Sequence, residues 1–436
     1  MFRYYLALGF LSLRRNPMLT LLMVLTLSVG VAASMTTLTI LKGMSGDPIP
    51  HKSERLLVPQ LDNLPPSSPT AGYEPPDQLT YRDAMALWQQ ARGLRQTPLY
   101  GIDPAVDTGR NDLPPFFAEG LAVGRDFFAM FDVPMRYGQP WTDEDDRDGK
   151  PVAVIGRALA ERLFGADVNP VGRHLRIGEA EFAISGVTDH WQPLPKYYRL
   201  VGSQRFDDFE NVYLPFRTAL AMEMGVNGNI SCSADHEPGM QGLMASECNW
   251  VQYWVELADA GDRASYSDYL AAYTREQQSL GRFSGQPQNR LRDVREWLQV
   301  NGVVSDEART ANWLSLAFLL VCVVNTVSLL LAKFSARPGE IGVRRALGAT
   351  RTEIFRQYLT EAGVIGLVGA GLGIAWTLAA MAFLRRFDPA IALIARLELD
   401  MTLITVVVSL AAALLAGLLP TWRACRITPA LQLKSQ

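Results

Sequence analysis

Long apolar runs and mixed polar segments divide the chain into two kinds of region. Charged residues are absent from 16–41, 310–332, 362–384 and 401–422. A helix needs about 20 apolar residues to cross a hydrocarbon core of about 30 Å, so each run is long enough. Residues 42–309 carry frequent charges, prolines and turns, which is typical of a folded aqueous domain. The pattern predicts four transmembrane helices, TM1 to TM4, with one large domain between the first two.

The ends of these runs set the predicted boundaries. The apolar N-terminus before TM1 has helical spacing and predicts an interfacial elbow helix, although a longer TM1 explains the same residues. A secretory signal peptide is another alternative, but the uncharged run is longer than its usual apolar core. The predicted segments are the elbow at 1–16, TM1 at 17–41, the large domain at 42–311 with a stalk helix at 288–311, TM2 at 312–332, a charged segment with the start of TM3 at 333–361, TM3 at 362–384, a short loop at 385–400, TM4 at 401–421 and a tail at 422–436.

Within the large domain, periodicity predicts both strands and helices. Residues 79–94 have the period of an amphipathic helix, and the helical period returns near 288 and runs toward TM2. Glycine turns separate an apolar strand from a helix in one segment and two alternating strands in another. The strand candidates lie in 152–165, 174–188, 212–216 and 250–257. We therefore expect a large α+β extracytoplasmic domain on an α-helical membrane protein.

The distribution of basic residues predicts the orientation. Lysine and arginine are concentrated before TM1, between TM2 and TM3, and after TM4, whereas the arginines of loop 385–400 are offset by acidic residues. Because basic short loops stay in the cytoplasm, we expect both termini on that side and the large domain in the periplasm. The expected location is the cell inner membrane. The net charge of −3 gives no indication of nucleic-acid binding.

The charged segment between TM2 and TM3 contains helix signals of its own. It reads RPGEIGVRRALGATRTEIFRQ at 337–357. Pro338 suits the first turn of a helix, and Gly348 is placed to end that helix in the left-handed conformation. Thr350 and Glu353 form the T-x-x-E capping box of a new helix. We predict a short helix, a glycine corner and the start of TM3, and we call residues 337–357 the island.

Small and polar residues within the apolar runs are candidates for helix packing. Pairs of small residues four apart allow close approach of two helices, although such residues are also merely tolerated in lipid. Asn325 lies in the middle of TM2, and an amide in lipid requires a partner. We favour a helix–helix contact for it over contact with a transported substrate. The candidate packing residues are Gly30, Ser34, Asn325, Gly366, Gly369 and Gly373.

Two of the four cysteines fall in the large domain. Cys232 and Cys248 lie in a compartment that permits disulfides, and we favour a disulfide between them. Two free thiols remain an alternative. A zinc site formed with His236 is another, although structural zinc normally takes four ligands. The remaining cysteines are Cys322 in TM2 and Cys425 in the tail.

Catalytic signatures are absent from the sequence. It contains no G-x-x-x-x-G-K-[ST] phosphate loop, no H-E-x-x-H and no G-x-S-x-G. GLVGAGLG at 366–373 lies inside an apolar run with no preceding strand, so it does not predict a dinucleotide site. We therefore expect no catalytic residue, no metal and no cofactor bound by this chain.

The chain resembles the MacB/FtsX type of ABC transporter permease, also called type VII. The island and the start of TM3, EIGVRRALGATRTEIFRQYLTEA at 340–362, are similar to the signature of that family. Residues 6–34 resemble its elbow and first span, 152–187 its periplasmic core and 419–434 its C-terminal end. The resemblance covers most of the chain. It implies a porter-like part and an inserted lobe in the large domain.

The resemblance also implies partners and a mechanism. The permease would pair with a second copy or a paralogue and bind an ABC ATPase subunit, which holds ATP and magnesium. MacB carries its ATPase at the N-terminus of the same chain, and this sequence does not, so we expect a separate ATPase. The island would be the coupling helix. The implied ATPase-coupling residues are Arg337, Glu340, Ile341, Val343, Arg344, Arg345, Leu347 and Gly348.

The expected function is a permease subunit that converts ATP hydrolysis on its partner into periplasmic movement. We expect efflux by mechanotransmission, with a periplasmic adaptor and an outer-membrane channel as further partners. Alternatives within the family are an FtsX-like regulator of cell-wall enzymes and a lipoprotein-release permease. A membrane-anchored ligand receptor is an alternative of another class, but it gives no reason for the island. A membrane enzyme is disfavoured by the missing catalytic motifs.

Overall fold

The computed structural model describes residues 16–64, 74–109, 111–200, 209–335, 347–387 and 399–425, except the side chains of 335 and 423–425. The chain divides into two compact units. The helical unit comprises Met1–Ser45 and Val304–Gln436, and the sheet unit comprises Gly46–Val303. Residues 1–15 of the predicted elbow, most of loop 385–400 and the tail from 426 lie outside the described residues.

The helices differ in length and polarity between the two units. Four helices of the helical unit, α1, α10, α11 and α12 below, are long and apolar enough to cross a membrane, which confirms the four predicted spans. The sheet unit holds the shorter helices. In chain order the helices are α1 (Pro17–Ser45), α2 (Tyr81–Gln90), α3 (Phe127–Met130), α4 (Asp143–Arg147), α5 (Arg157–Phe164), α6 (Phe216–Ala221), α7 (Gly239–Ala245), α8 (Arg263–Ser279), α9 (Val294–Val300), α10 (Asp306–Ser335), α11 (Arg351–Phe387) and α12 (Leu399–Cys425).

A mixed sheet organises the second unit. Its strands are β1 (Leu56–Gln60), β2 (Leu79–Thr80), β3 (Arg95–Ile102), β4 (Ala105–Asp107), β5 (Phe116–Phe117), β6 (Gly120–Val123), β7 (Met135–Gly138), β8 (Val152–Gly156), β9 (His174–Ile177), β10 (Ala180–Thr188), β11 (Val212–Pro215), β12 (Asn249–Glu256) and β13 (Arg290–Asp293). The order is β13-β1-β12-β3-β6-β11-β8-β10-β9-β4-β5, with β2 beside β12 and β7 beside β10. The β8–β10 and β6–β11 pairs are parallel. Strands and helices in one unit confirm the predicted α+β class.

The central strands of this sheet are buried on both faces. Successive strand residues point to opposite faces, so neighbours in sequence enter different cores. In β8, Ala153 and Ile155 belong to one apolar cluster and Val154 to the other. In β11, Leu214 and Tyr213 divide in the same way. This double burial explains why such strands read as continuous apolar runs in the sequence.

Short-range patterns predicted local structure correctly. Residues 152–165 form β8 and α5, and Gly165 follows the helix with a φ of 97°. The predicted hairpin is formed by β9 and β10, joined through Gly178 with a φ of 59°. The strand candidates at 212–216 and 250–257 correspond to β11 and β12. These elements depend on contacts within one short segment.

The continuous stalk helix predicted at 288–311 is wrong. Its first part is strand β13, which pairs antiparallel with β1. Asp293 then starts helix α9, because its side chain accepts a hydrogen bond from the backbone N–H of Glu296 in a capping box. Gly302 follows that helix with a φ of 57°, and α10 begins only at Asp306. The residues at 288–311 have helical spacing, but pairing with a distant strand makes the first part of this segment a strand.

Candidate coupling site at one end of the helical unit

The antiparallel packing of α1 and α10 defines two ends of the helical unit. At one end, the Lys42 ammonium of α1 contacts the Asp400 carboxylate of α12. The opposite end holds the start of α1, the end of α10 and the start of α11. The island connects α10 to α11, so we call this the island end.

A buried ion pair lies at the island end. The Lys333 ammonium of α10 is 2.6 Å from the Glu361 carboxylate of α11, with side chains 0% and 4% exposed. The Lys333 Nζ also donates to the Thr20 hydroxyl of α1 at 3.4 Å. Removing two charges from water is costly unless they are paired. The pair therefore requires α1, α10 and α11 to stay together here.

Apolar side chains surround the ion pair. Phe334, next to Lys333 in sequence, packs on Tyr358 of α11 with ring centroids 4.4 Å apart. Met23 of α1 and Ile354 of α11 belong to the same buried cluster. Low polarity around a paired charge strengthens the attraction and raises the cost of separating the two ions. The three helix termini are thus joined by both packing and charge.

The chain leaves the island through a fixed corner. Gly348 has a φ of 98°, in the left-handed region that favours glycine. Thr350 and Glu353 form reciprocal hydrogen bonds, since the Thr350 N–H donates to Glu353 at 2.8 Å and the Glu353 N–H donates to the Thr350 hydroxyl at 3.3 Å. Beside the corner, Leu347 is 83% exposed.

Small residues bring α1 and α10 into close contact. A Cβ added at Gly30 would lie 2.9 Å from Cβ and Sγ of Cys322. One turn further along α1, the Ser34 hydroxyl donates to the backbone oxygen of Ser315 at 2.9 Å. Thr37 and Ser315 hydroxyls are 2.7 Å apart. These contacts hold α1 against α10 along the span.

The three candidate glycines of α11 contact two different helices. A Cβ at Gly366 would lie 2.6 Å from the Cβ of Ala413 in α12. A Cβ at Gly369 or Gly373 would approach side chains of α1, Leu27 at 3.2 Å and Val31 at 3.3 Å. Since a methyl group is tolerated poorly at such distances, α11 packs between α1 and α12 only with small residues at these places.

Two family models match regions that together include all four long helices. The MacB-like periplasmic core domain matches residues 20–273, which is more than half of the 436 residues. The FtsX-like permease C-terminal region matches 312–429, the part that contains the island. The chain belongs to the MacB/FtsX-type permease family.

Curated relatives share this family and are longer. The macrolide export ATP-binding/permease protein MacB of Rhodopirellula baltica is 27% identical over 371 residues, covering 84% of this chain and 53% of that protein. The pyoverdine export ATP-binding/permease protein PvdT of Pseudomonas entomophila is 27% identical over 370 residues, covering 83% and 49%. The chain spans about half the length of these relatives. The periplasmic region of MacB from Actinobacillus actinomycetemcomitans aligns over 58% of this chain and 94% of that one, with 14% identity and a TM-score of 0.38.

The structure locates only part of the coupling set implied by the MacB/FtsX resemblance. Leu347 and Gly348 lie at the corner that precedes α11. The Lys333–Glu361 pair was not predicted from the sequence, in which Lys333 is one of the basic residues between TM2 and TM3 and Glu361 ends the segment that starts TM3. A signal was available, since each charge directly borders an apolar run. The candidates outside the described residues are Arg337, Glu340, Ile341, Val343, Arg344 and Arg345.

Asn325 does not contact another helix within this chain. It is exposed on α10, and no hydrogen bond to it is found in the described part of the structure. The expected helix–helix contact is therefore not formed within this chain, and a contact with a helix of another chain stays a prediction. The reason is its position on the helix, since the neighbouring Thr326, not Asn325, is buried and donates to the Cys322 carbonyl at 2.8 Å.

The two cysteines of the sheet unit form the disulfide that the sequence analysis favours. Cys232 and Cys248 are bonded to each other. His236 lies close enough to form a three-residue cluster with them. The disulfide fixes the segment that precedes β12.

A surface cavity of about 620 Å³ lies elsewhere on the sheet unit. Its apolar lining includes Phe117, Met222 and Met224, and two carboxylates, Asp103 and Glu179, stand among the lining residues. Phe117 is 78% exposed. Its volume lies within the range of about 300–1,000 Å³ that is usual for small-molecule pockets.

Proposed function

We propose that this permease couples ATP hydrolysis on a separate protein to conformational change in its extracytoplasmic domain, and that this change drives export. The match to both the periplasmic core and the permease region carries the proposal. The relatives named above are export proteins with an ATP-binding part. In this proposal the island and both termini face the cytoplasm, where the ATPase binds.

The geometry of the helical unit supports a transmission path. A force on the island first reaches the ends of α10 and α11, where Lys333 and Glu361 are paired. Thr20 adds the start of α1 to this junction. Contacts at Gly30 and Ser34 hold α1 against α10 along the span. The chain enters the sheet unit from α1 and leaves it into α10. Movement of these two helices is therefore passed directly to the sheet unit.

The exposed amide of Asn325 supports pairing with a second permease chain. An amide that faces hydrocarbon gains about 0.6–2 kcal/mol from a hydrogen bond across a helix–helix interface. Ser328 lies one turn further on the same exposed side of α10. The α10 helix of a second copy or of a paralogue would supply the hydrogen-bond partner that Asn325 does not find in its own chain.

Leu347 provides the test of ATPase binding. Full-length permease, purified from native membranes in mild detergent, is assayed for ATP hydrolysis that vanadate inhibits and for labelling of a second polypeptide by azido-ATP. Leu347→Asp places a charge on the corner beside the island. We expect it to lower both signals at least tenfold, the equivalent of about 1.4 kcal/mol of lost binding.

Leu399→Asp is the matched control. Leu399 is 81% exposed, close to the 83% of Leu347, and begins α12 at the opposite end of the same unit. It should keep both signals at the wild-type level. Equal loss in the two variants would mean a general membrane defect, and no loss with Leu347→Asp would reject this corner as the ATPase-binding surface.

The cavity on the sheet unit favours a second candidate, a membrane-anchored receptor for a small ligand. The same purification distinguishes the two functions. A receptor requires no ATPase, so both the wild type and Leu347→Asp would lack azido-ATP labelling. The FtsX-like regulator and the lipoprotein-release permease share the ATPase. They differ from an exporter in what the sheet unit contacts.

A further inference from the structure

Backbone pairing, and not only the disulfide, places Cys232 opposite Cys248. Ser231 and Asn249 exchange two hydrogen bonds, with N–H to oxygen distances of 3.0 and 2.8 Å. In an antiparallel ladder the next residues form the non-hydrogen-bonded pair, in which the chains approach most closely. The cysteine Cα atoms are 4.2 Å apart. Because the adjacent bridge sets this register, the two sulfurs remain neighbours when the disulfide is reduced.

His236 adds a nitrogen to the two sulfurs. The three ligand atoms all lie within 4.8 Å of one another. The Nδ1 of His236 is 2.7 Å from the carbonyl oxygen of Glu237. A carbonyl oxygen only accepts, so Nδ1 carries the proton and Nε2 keeps its lone pair. Metal-binding histidines commonly make this second hydrogen bond, which fixes the ring.

We propose that Cys232, Cys248 and His236, after reduction of the disulfide, form a binding site for monovalent copper. Thiolate ligands select soft cations such as Cu(I). Three ligands complete a trigonal Cu(I) site, whereas structural zinc normally takes four. Among the described residues, this is the group of three cysteine and histidine side chains whose ligand atoms all lie within 4.8 Å of one another.

Reduction requires a dithiol. Cys232 is exposed and Cys248 is 1% exposed, so a reductant thiolate attacks the Cys232 sulfur and Cys248 leaves as a thiolate. The second thiol of the reductant then attacks the reductant's first sulfur, which is bound to Cys232 in the mixed disulfide. This step releases the Cys232 thiolate. Two electrons and two protons pass from the dithiol to the cysteines, and the reductant becomes a disulfide. Binding of Cu(I) displaces both thiol protons.

The test uses the full-length chain in detergent with Cys322→Ala and Cys425→Ala, so that only the two sheet-unit thiols remain. After reduction by a dithiol, binding is measured by competition with a chromogenic Cu(I) chelator. We expect one Cu(I) per chain. His236→Gln should weaken binding at least tenfold, since even a residue that only orients a ligand is worth about 10–100-fold. The double variant Cys232→Ser with Cys248→Ser should lose the site.

His190→Gln is the matched control, because His190 is another exposed histidine of the sheet unit, and it should bind as the wild type does. Protease resistance of oxidised and reduced protein reports the fold. If the reduced protein binds no more Cu(I) than the double serine variant, the proposed copper site is wrong. His236→Gln with wild-type affinity overturns the three-ligand arrangement. Loss of protease resistance on reduction would show that the backbone does not hold the thiols together, which also overturns it.

Discussion

The sheet unit and the helical unit each bury a lysine–glutamate ion pair, and the two pairs have different surroundings. In the sheet unit, Glu210 accepts from the Lys196 ammonium at 2.9 Å, the Arg199 guanidinium at 3.1 Å and the Tyr198 hydroxyl at 2.6 Å. Tyr198 stacks on Trp191 with centroids 4.9 Å apart. This ion pair belongs to a polar network enclosed by aromatic rings.

The pair in the helical unit connects elements that are distant in sequence. Lys333 belongs to α10, Glu361 to α11, and Thr20, which also contacts Lys333, to α1. Thr20 and Lys333 are 313 residues apart. In contrast, the cationic partners of Glu210 lie within the preceding 14 residues, Arg199 being 11 away. One pair fixes a local fold, and the other joins three membrane helices.

This difference separates a structural role from a transmitting role. Both pairs bear the cost of removing charges from water, so removing one partner is destabilising in either unit. Only the helical pair lies at the helix termini that the island joins. We therefore expect changes in the sheet pair to affect folding alone, and changes in the helical pair to affect coupling as well.

The largest effect is expected from Glu210→Gln. Burial by itself raises the pKa of Glu210, but the charges of Lys196 and Arg199 and the hydrogen bonds to it hold the pKa below its usual range. The carboxylate is therefore charged at neutral pH, and its loss leaves the buried Lys196 and Arg199 without the buried counter-charge that they share. We expect the free energy of unfolding to fall by about 3–5 kcal/mol, measured by urea unfolding of the full chain followed by tryptophan fluorescence.

Glu119→Gln is the control for this change. Glu119 lies 3.8 Å from the same Arg199 but its side chain is 37% exposed. A partly exposed pair of this kind contributes about 0–1 kcal/mol. If the two substitutions cost the same, the buried network contributes no more than a surface ion pair, and the contrast between the units is lost.

The second prediction concerns the pair at the island end. Glu361→Gln leaves the buried Lys333 near the end of α10 without its counter-charge, which costs about 3 kcal/mol. Replacing both residues by methionine removes the unpaired charge and should restore most of the stability, since apolar replacement of a buried pair is often neutral. We nevertheless expect the double variant to lose ATP-dependent movement of the sheet unit, followed by fluorescence of a probe attached to that unit.

Lys42→Met provides the comparison at the opposite end. The Lys42–Asp400 contact is an ion pair with side chains 42% and 54% exposed, so its loss should change stability by less than about 1 kcal/mol. It should leave the movement intact. A double methionine variant that retains full ATP-dependent movement would show that the Lys333–Glu361 pair only stabilises the bundle, as the Glu210 network does.

Local signals in the sequence predicted much of the molecule. The uncharged runs predicted the four spans, and Thr350 and Glu353 predicted the start of α11. Both follow from residues within one segment. The corner at Gly348 also needs only its own backbone conformation.

Features that depend on long-range contacts were not predicted. Strand β13 exists because it pairs with β1, more than 200 residues earlier, and no periodicity in 288–311 reveals that partner. The partnership of Lys333 and Glu361 requires knowing that α10 and α11 meet at that depth. The exposure of Asn325 depends on which side of α10 faces α1, and the uniformly apolar run around it leaves that side undetermined.

The smallest effect is expected from a carboxylate that lacks the cationic partners of Glu210. Asp146 in α4 is 5% exposed, and its Oδ1 has no hydrogen-bond partner in the described structure. Burial raises its pKa from 3.8 to about 6, against the opposing effects of Arg217. Folding therefore takes up a proton between these values, so this group's contribution to stability falls as the pH rises from about 4 through 6.

Asp146→Asn removes that loss, because a neutral amide is buried at every pH. We expect the free energy of unfolding to rise by about 1–3 kcal/mol at pH 8 and by about half as much at pH 5, measured as the urea midpoint of the full chain at both pH values. Asp148→Asn, at a side chain 49% exposed beside the same helix, should change neither. If Asp146→Asn raises the free energy of unfolding equally at pH 5 and pH 8, the benefit does not come from removing a buried charge. The charge of Asp146 would then be balanced within the fold, as the charge of Glu210 is.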